Sequence, residues 1–447
     1  MQQDLTQGNI TRILLRFSGP YLVASFLQTF YGLADMFITG QYNGAGTISA
    51  VAVGSQVMHM LTVVIVGLAM GSTVSISHAV GAKDGPRTAR SVGNSVTLFA
   101  AVAAASTVLL LMGLNLILRL LAVPPEAYEE ARRYLFICFA GVPFIIAYNV
   151  ISSIFRGLGD TKSPMYFVAI AGVFNIVLDY VLIGPFAMGA AGAALATVAA
   201  QGLSVGMAFL ALKRFHMGVK AGKEDLAFEQ NTIHGILAVG IPIAFQEGLI
   251  QISFLVITAI ANARGVSVAA AVGIVEKIIC FLFLVPSAMS AAVSSVAAQN
   301  AGAGYHNRSA EALRFGIRII IGFGFVIFVL CQFAAEPMVS CFVKNDPNVV
   351  RLGGQYLRSY SADCMIAGIH FCFSGFFSAY RKAMYSFAHN MASVLLVRIP
   401  GAYLASKLFP ETLFPMGLAA PMGSLLSVAI CLVLYFRGRE YWNRTEL

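Results

Sequence analysis

Asn175 and Asp179 stand four residues apart inside an apolar run from about 163 to 183. Such a run is long enough to cross a bilayer as a helix. An aspartate there costs about 2.5–3.5 kcal/mol on insertion scales, so it implies a use. The four-residue spacing puts amide and carboxylate on one helical face. Together they suit an ion or proton site; the alternative is polar glue between two helices. A second aspartate, Asp35, lies in another apolar run (13–40), and Thr197 in a third (189–212). If the spans alternate in direction, Asp35, Asp179 and Thr197 reach similar depth, roughly 6–12 Å from the outer edge at a 1.5 Å rise per residue. Asp35, Asn175, Asp179 and Thr197 offer only hard oxygen ligands, which fit Na⁺ or a proton rather than zinc or copper. Two adjacent carboxylates cannot both ionise cheaply, so one takes up a proton or a cation binds between them.

The spans of the second half carry Glu247, Glu276 and Asp363 together with Lys277 and Arg398, whereas those of the first half carry two acids and no Lys or Arg. The first set is therefore uncompensated and the second close to internally paired. Lys277 could pair with Glu247, with Asp363 or with neither. The second-half acids could form a structural salt bridge, contact a cationic substrate, or make a second coupling site. His59, His78, His370 and His389 share no ligand spacing, and the seven cysteines show no CxxC pattern, so both sets read as packing residues. The stretch Arg156–Pro164 is a turn punctuated by Gly159 and Pro164, not a phosphate loop. HExxH and GxSxG are absent as well. Enzymatic chemistry is thereby excluded, and no cofactor is expected beyond the coupling ion.

The elements that must position these residues follow from composition. Of 447 residues, 58% are hydrophobic and 11% charged, against about 25% charged in soluble domains. Twelve apolar segments predict an all-α polytopic membrane protein with twelve transmembrane helices. The first dozen residues are polar and no cleavage site precedes Asp35, so the first run reads as a spanning helix rather than a signal peptide. Nineteen Lys and Arg fall in the termini and even-numbered loops against eight in the odd-numbered loops, which predicts cytoplasmic termini. This bias explains the net charge of +9, and no nucleic-acid partner is needed.

The chain also repeats itself at an offset of about 222. Ala79–Ala89 matches Asn300–Ala310, Ser49–Gly54 matches Ala269–Gly273, and Pro20 matches Pro242. Six helices per copy is an even number, so the repeat is parallel, related by an axis along the membrane normal. The expected division is a six-helix bundle over 1–212, a cytoplasmic linker over 213–232 and a second six-helix bundle over 233–447. Two such bundles suit alternating access around a cleft. Pro20 should kink the first helix, either as a hinge or as static shape.

These residues resemble the multidrug and toxic compound extrusion (MATE) family: twelve spans in two halves, Pro20 and Asp35 in the first helix, Asn175-x-x-x-Asp179 in the fifth and Glu247 in the seventh. The resemblance implies a V-shaped pair of bundles and multidrug efflux, the antiport of small organic cations or amphipathic drugs against Na⁺ or H⁺, by a monomer in the cell membrane. It implies a coupling-ion network of Asp35, Asn175, Asp179 and Thr197, with Na⁺ held, if at all, at Asp35 and Asp179. Gln28, Tyr134 and Asn149 would adjoin it in the substrate cavity. Glu247 and Asp363 match acids that some branches use. Flippases for lipid-linked precursors share the superfamily. Their cargo would call for several intramembrane Arg or Lys, which this first half lacks.

Overall fold

The computed structural model describes residues 4–121, 123–214, 222, 224–343, 346–438 and 442, and the described residues are helical throughout their regular structure. Ten helical stretches are long and apolar enough to cross a membrane, and two further pairs cross if each bent pair counts once. Twelve spans result, as the sequence predicts. Large apolar side chains on the long helices point outward, Met112 at 80% and Phe333 at 82% exposure. In water that exterior would aggregate; in lipid it is the ordinary surface of a multi-pass protein.

The first half runs α1 (Ile10–Tyr42), α2 (Ala45–Gly81), α3 (Gly85–Leu120), α4 (Pro125–Ala140), α5 (Val142–Gly157), α6 (Lys162–Ile183) and α7 (Gly189–Arg214). The second runs α8 (Gln230–Asn262), α9 (Val266–Leu282), α10 (Leu284–Gly302), α11 (His306–Ser340), α12 (Pro347–Tyr360), α13 (Asp363–Ala379) and α14 (Ala383–Ser393). A π-helical turn (Val394–Arg398), α15 (Ile399–Leu408), α16 (Phe414–Gly417) and α17 (Ala419–Arg437) complete it.

The two bent spans are α4 with α5, at 46°, and α12 with α13, at 42°. The first bend falls at Gly141, just before Pro143, whose ring nitrogen cannot continue the helical ladder. Gly141 also meets Val198 of α7 so closely that any Cβ would overlap its side chain. The second bend, at Ser361–Ala362, comes at nearly the same repeat offset. The duplication thus reaches into backbone geometry.

The chain divides into two compact units, Met1–Asp4 with Gly19–Leu237, and Leu5–Ser18 with Ala238–Leu447. This differs from the expected 1–212 and 233–447 in two short stretches, and hydrogen bonds explain both. The Leu5 amide donates to Gln299 Oε1 (3.2 Å), Asn300 Nδ2 to the Leu5 carbonyl (3.1 Å), and Arg308 Nη2 to the Gly8 carbonyl (3.0 Å). These bonds hold the start of the chain in the second unit. Residues 224–229 lie instead on α3: Asn94 Nδ2 donates to the Asp225 carbonyl (3.3 Å), and the Glu229 amide to Asn94 Oδ1 (2.8 Å). Much of the expected linker, including Lys220 and Lys223, lies outside the described residues. Each unit has its own apolar core, the first around Tyr134, Phe139 and Leu135, the second around Tyr356, Leu357 and Tyr360.

Candidate functional site

In the first unit, α1, α6 and α7 bring the four predicted coupling residues together. Asp35 is 3% exposed; Asn175 and Asp179 are fully buried. The side chains of Asp179, Thr197 and Asn175 all face the Asp35 carboxylate. Thr197 Oγ1 donates to Asp35 Oδ2 at 3.2 Å. Asp35 Oδ1, both carboxylate oxygens of Asp179 and both polar atoms of Asn175 have no hydrogen-bond partner. Buried polar atoms are nearly always paired, and leaving one unpaired costs about 1–3 kcal/mol. Five such atoms lie in this one cluster.

Below this cluster lies a polar strip that the sequence reading missed. Gln201 Nε2 donates to the Tyr31 hydroxyl (3.3 Å), which also lies against Gln28. A cavity runs past Gln28, Tyr31, Tyr148, Thr197, Gln201 and Ser204. Tyr31 precedes Asp35 by four residues and Gln201 follows Thr197 by four, so each lies one helical turn along the same face. That spacing is the signal that could have found them.

Of the residues carried over from the family, Gln28 and Asn149 line a second cavity that shares Gln28, Tyr148 and Val168 with the first. Asn149 turns its Nδ2 to its own helix, donating to the Ile145 carbonyl at 2.8 Å. Tyr134, 2% exposed, lies within electrostatic reach of Asp35 and meets the Ser55 hydroxyl at 3.2 Å. It packs against Gly54, where a Cβ would overlap the Tyr134 ring. Arg156, read from sequence as part of a turn, is 8% exposed and lines the second cavity. The first half therefore does bury a cation, at the end of its fourth span.

Glu247 and Asp363 belong to the second unit. Asp363 starts α13, is 2% exposed and faces Ser424 and Arg398, with Oδ1 unpartnered. Glu247 lies beside Gln246. Arg398, not Lys277, is the cation that Asp363 faces, and Glu276 faces both Arg398 and Lys277. The Arg398 guanidinium lies 4.6 Å from the Phe254 ring and donates to the Tyr360 hydroxyl at 2.6 Å, while Thr258 Oγ1 donates to Glu276 Oε2 at 3.2 Å. Arg398 reaches inward from the π-turn that precedes Pro400, a residue that cannot donate to a regular ladder. Buried His389 bonds Ser374 and Ser427 (3.0 and 3.3 Å), as a packing residue would. Among the described residues, no group of three or more His, Cys, Asp or Glu is placed to hold a metal ion.

A duplicated bundle of spanning helices, with buried acids that lack hydrogen-bond partners in both copies, defines a multi-pass membrane protein. The MatE family model matches residues 20–181 and again 242–404, so the chain belongs to that family. The two matches begin at the paired prolines and confirm the repeat. A relative from Bacillus subtilis (strain 168), named a probable multidrug resistance protein (YpnP), is 29% identical over 99% of this chain and 98% of its own length. The FAD transporter of Shewanella oneidensis is 24% identical over 97% and 96%. The multidrug export protein MepA of Staphylococcus aureus (strain MSSA476) is 24% identical over 98% and 96%. Among solved structures, a MOP superfamily transporter from Pyrococcus furiosus shares the fold with a TM-score of 0.91 and 21% identity, covering 99% of this chain and 98% of that one.

Proposed function

We propose that this protein exports cationic or amphipathic organic compounds in exchange for Na⁺ or H⁺, by alternating access. Asp35, Asn175, Asp179 and Thr197 form the coupling site. One observation carries this: two buried carboxylates face each other with three of their four oxygens unpartnered. Uptake of one cation or proton relieves their repulsion and supplies the missing contacts. The acids then discharge when substrate or the opposite side of the membrane competes. The names of the relatives in Bacillus and Staphylococcus point to the same drug cargo. Of the second-unit acids, Asp363 and Glu276 face Arg398, and in this reading they stabilise structure rather than couple.

In this reading the protein lies in the cell membrane with both termini cytoplasmic and works as a monomer. Arg398 does not make the second unit a phosphate site for a lipid-linked precursor, because Asp363 and Glu276 face it and would repel a phosphate. The test is ethidium and norfloxacin transport by the purified protein in liposomes, with a Na⁺ gradient and a pH gradient imposed separately. One of the two gradients should drive uptake into inverted vesicles. Transport that ignores both would remove the coupling role of the first-unit acids.

A further inference from the structure

We propose that the Arg156 cavity of the first unit is an oxyanion subsite, one that takes a carboxylate or a phosphate. Arg156 ends α5 and is 8% exposed. Its guanidinium lies 5.4 Å from the centre of the Tyr21 ring, and its Nε has no hydrogen-bond partner. The cavity in front of it is lined by Tyr21, Ser25, Asn149, Ser152 and Thr161, with no acid among its lining residues. Asp160, four residues on, is engaged at the start of α6. Its Oδ1 accepts from the Lys162 and Ser163 amides (2.9 and 3.1 Å), and its Oδ2 from the Ser163 hydroxyl (2.6 Å). A guanidinium is always charged and presents five donors in a planar fork that matches two oxygens of one oxyanion.

The repeat shows that the fold does not require this arginine. The turn after α5 is closed by the Asp160 amide to the Phe155 carbonyl (2.8 Å) and the Gly159 amide to the Arg156 carbonyl (3.0 Å). In the second copy the Lys382 amide bonds Phe377 (2.8 Å) and the Arg381 amide bonds Ser378 (3.0 Å), the same turn about 222 residues later. There Ser378 replaces Arg156, Phe371 replaces Asn149 and Ile243 replaces Tyr21. The backbone plan is unchanged, while the three side chains that make the first-copy cavity polar and cationic are replaced.

The subsite is distinct from the acid cluster. Tyr21, under the guanidinium, and Asp35 are fourteen residues apart on α1, or about 21 Å at 1.5 Å per residue. The two cavities that share Gln28 and Tyr148 lead from one to the other. A compact zwitterion cannot touch both ends at once. It would meet Arg156 with its anionic group at one stage and the acids with its amine at another. The same chemistry would hold the phosphodiester of a lipid headgroup.

The substrate source rests on the exporter reading; the lipid source does not. The experiment uses full-length protein in dodecyl maltoside micelles, which carry no phosphate or carboxylate. The probes are norfloxacin, which carries a carboxylate, and its methyl ester, which does not. Wild type should prefer the acid, and Arg156→Gln should weaken norfloxacin binding by about tenfold, the scale of one charge-assisted pair, with the ester unaffected. Arg156→Lys should retain part of the preference, and it serves as the test if the glutamine variant does not fold. Native mass spectrometry of the same proteins with phosphatidylglycerol reads the other source. Lipid retained by wild type and lost from Arg156→Gln would assign the oxyanion to a headgroup. Ethidium binding monitors the acid cluster separately. Its absence from wild type would sink the exporter reading, leaving the other probes to judge this one. Equal binding of norfloxacin, its ester and phosphatidylglycerol by wild type and Arg156→Gln would overturn the subsite.

Discussion

Asp35 has one oxygen held by Thr197 and one with no partner, while Asp179 has neither oxygen partnered. Asp35→Asn or Asp179→Asn keeps the shape but removes the charge that a cation neutralises. It also removes the repulsion that makes uptake favourable. Moving one charge through the membrane yields only about 2.3 kcal/mol per 100 mV. Losing an interaction of about 1.5–3 kcal/mol with a charged group is therefore enough to uncouple the cycle. Either variant should abolish gradient-driven export, whereas Asp363→Asn, beside Arg398, should only weaken it. The measurement is export by folded, purified variants together with the heat of ion binding. Normal pumping by both first-unit variants, with Glu247→Gln or Asp363→Asn dead, would move coupling to the second unit. The cluster of Asp35, Asn175, Asp179 and Thr197 was legible in the sequence because a charge in an apolar run is costly enough to stand out, and Asn175 and Thr197 followed from spacing and depth relative to the two acids. Tyr31 and Gln201 carry no charge and did not stand out. Arg156 reads as the start of a turn because it ends its apolar run, and burial there depends on tertiary packing that no local pattern encodes.

Turns between the helices show what a parallel repeat does and does not copy. Lys83 (φ 56°) and Gly304 (φ 77°) occupy the same turn in the two copies, as do Gly159 (φ 86°) and Arg381 (φ 57°). Each turn needs a left-handed residue, and each is built once with glycine and once with a charged side chain. The left-handed region costs a side chain about 1–2 kcal/mol, partly offset by the greater freedom of glycine in the unfolded chain. Lys83→Gly should therefore stabilise the protein by about 0.5–1 kcal/mol, and Gly304→Ala and Gly159→Ala should destabilise it by about 0.5–1 kcal/mol. Unfolding midpoints of the purified variants test this; a lower midpoint for Lys83→Gly would show that the side chain contributes more than the backbone loses. Alignment of the copies revealed Lys against Gly but not the left-handed backbone, which lysine does not announce. The bends at Gly141 and Ser361 were hidden for a related reason: each bent pair reads as one unbroken apolar run.

The helix count and the repeat were legible at the scale of the whole molecule because lipid imposes one length and one composition on every span. Sidedness rests on charge alone, and the positions of two residues make it testable. Six spans precede Gly222 when α4 and α5 count as one, and three more precede Cys341. An even and an odd number place these residues on opposite faces of the membrane. Gly222 is exposed, its amide donating to Asp225 Oδ2 at 2.8 Å, and Cys341 is an exposed free cysteine in the turn after α11. The excess of Lys and Arg in the termini and even-numbered loops assigns the Gly222 face to the cytoplasm. With Cys280, the other exposed cysteine, replaced by serine, a membrane-impermeant maleimide applied to intact cells should label Cys341 and spare Gly222→Cys. In inverted vesicles the pattern should reverse. Labelling of both positions from one side would contradict the span count. Labelling of Gly222→Cys alone from outside would keep the count and invert the molecule, placing both termini outside.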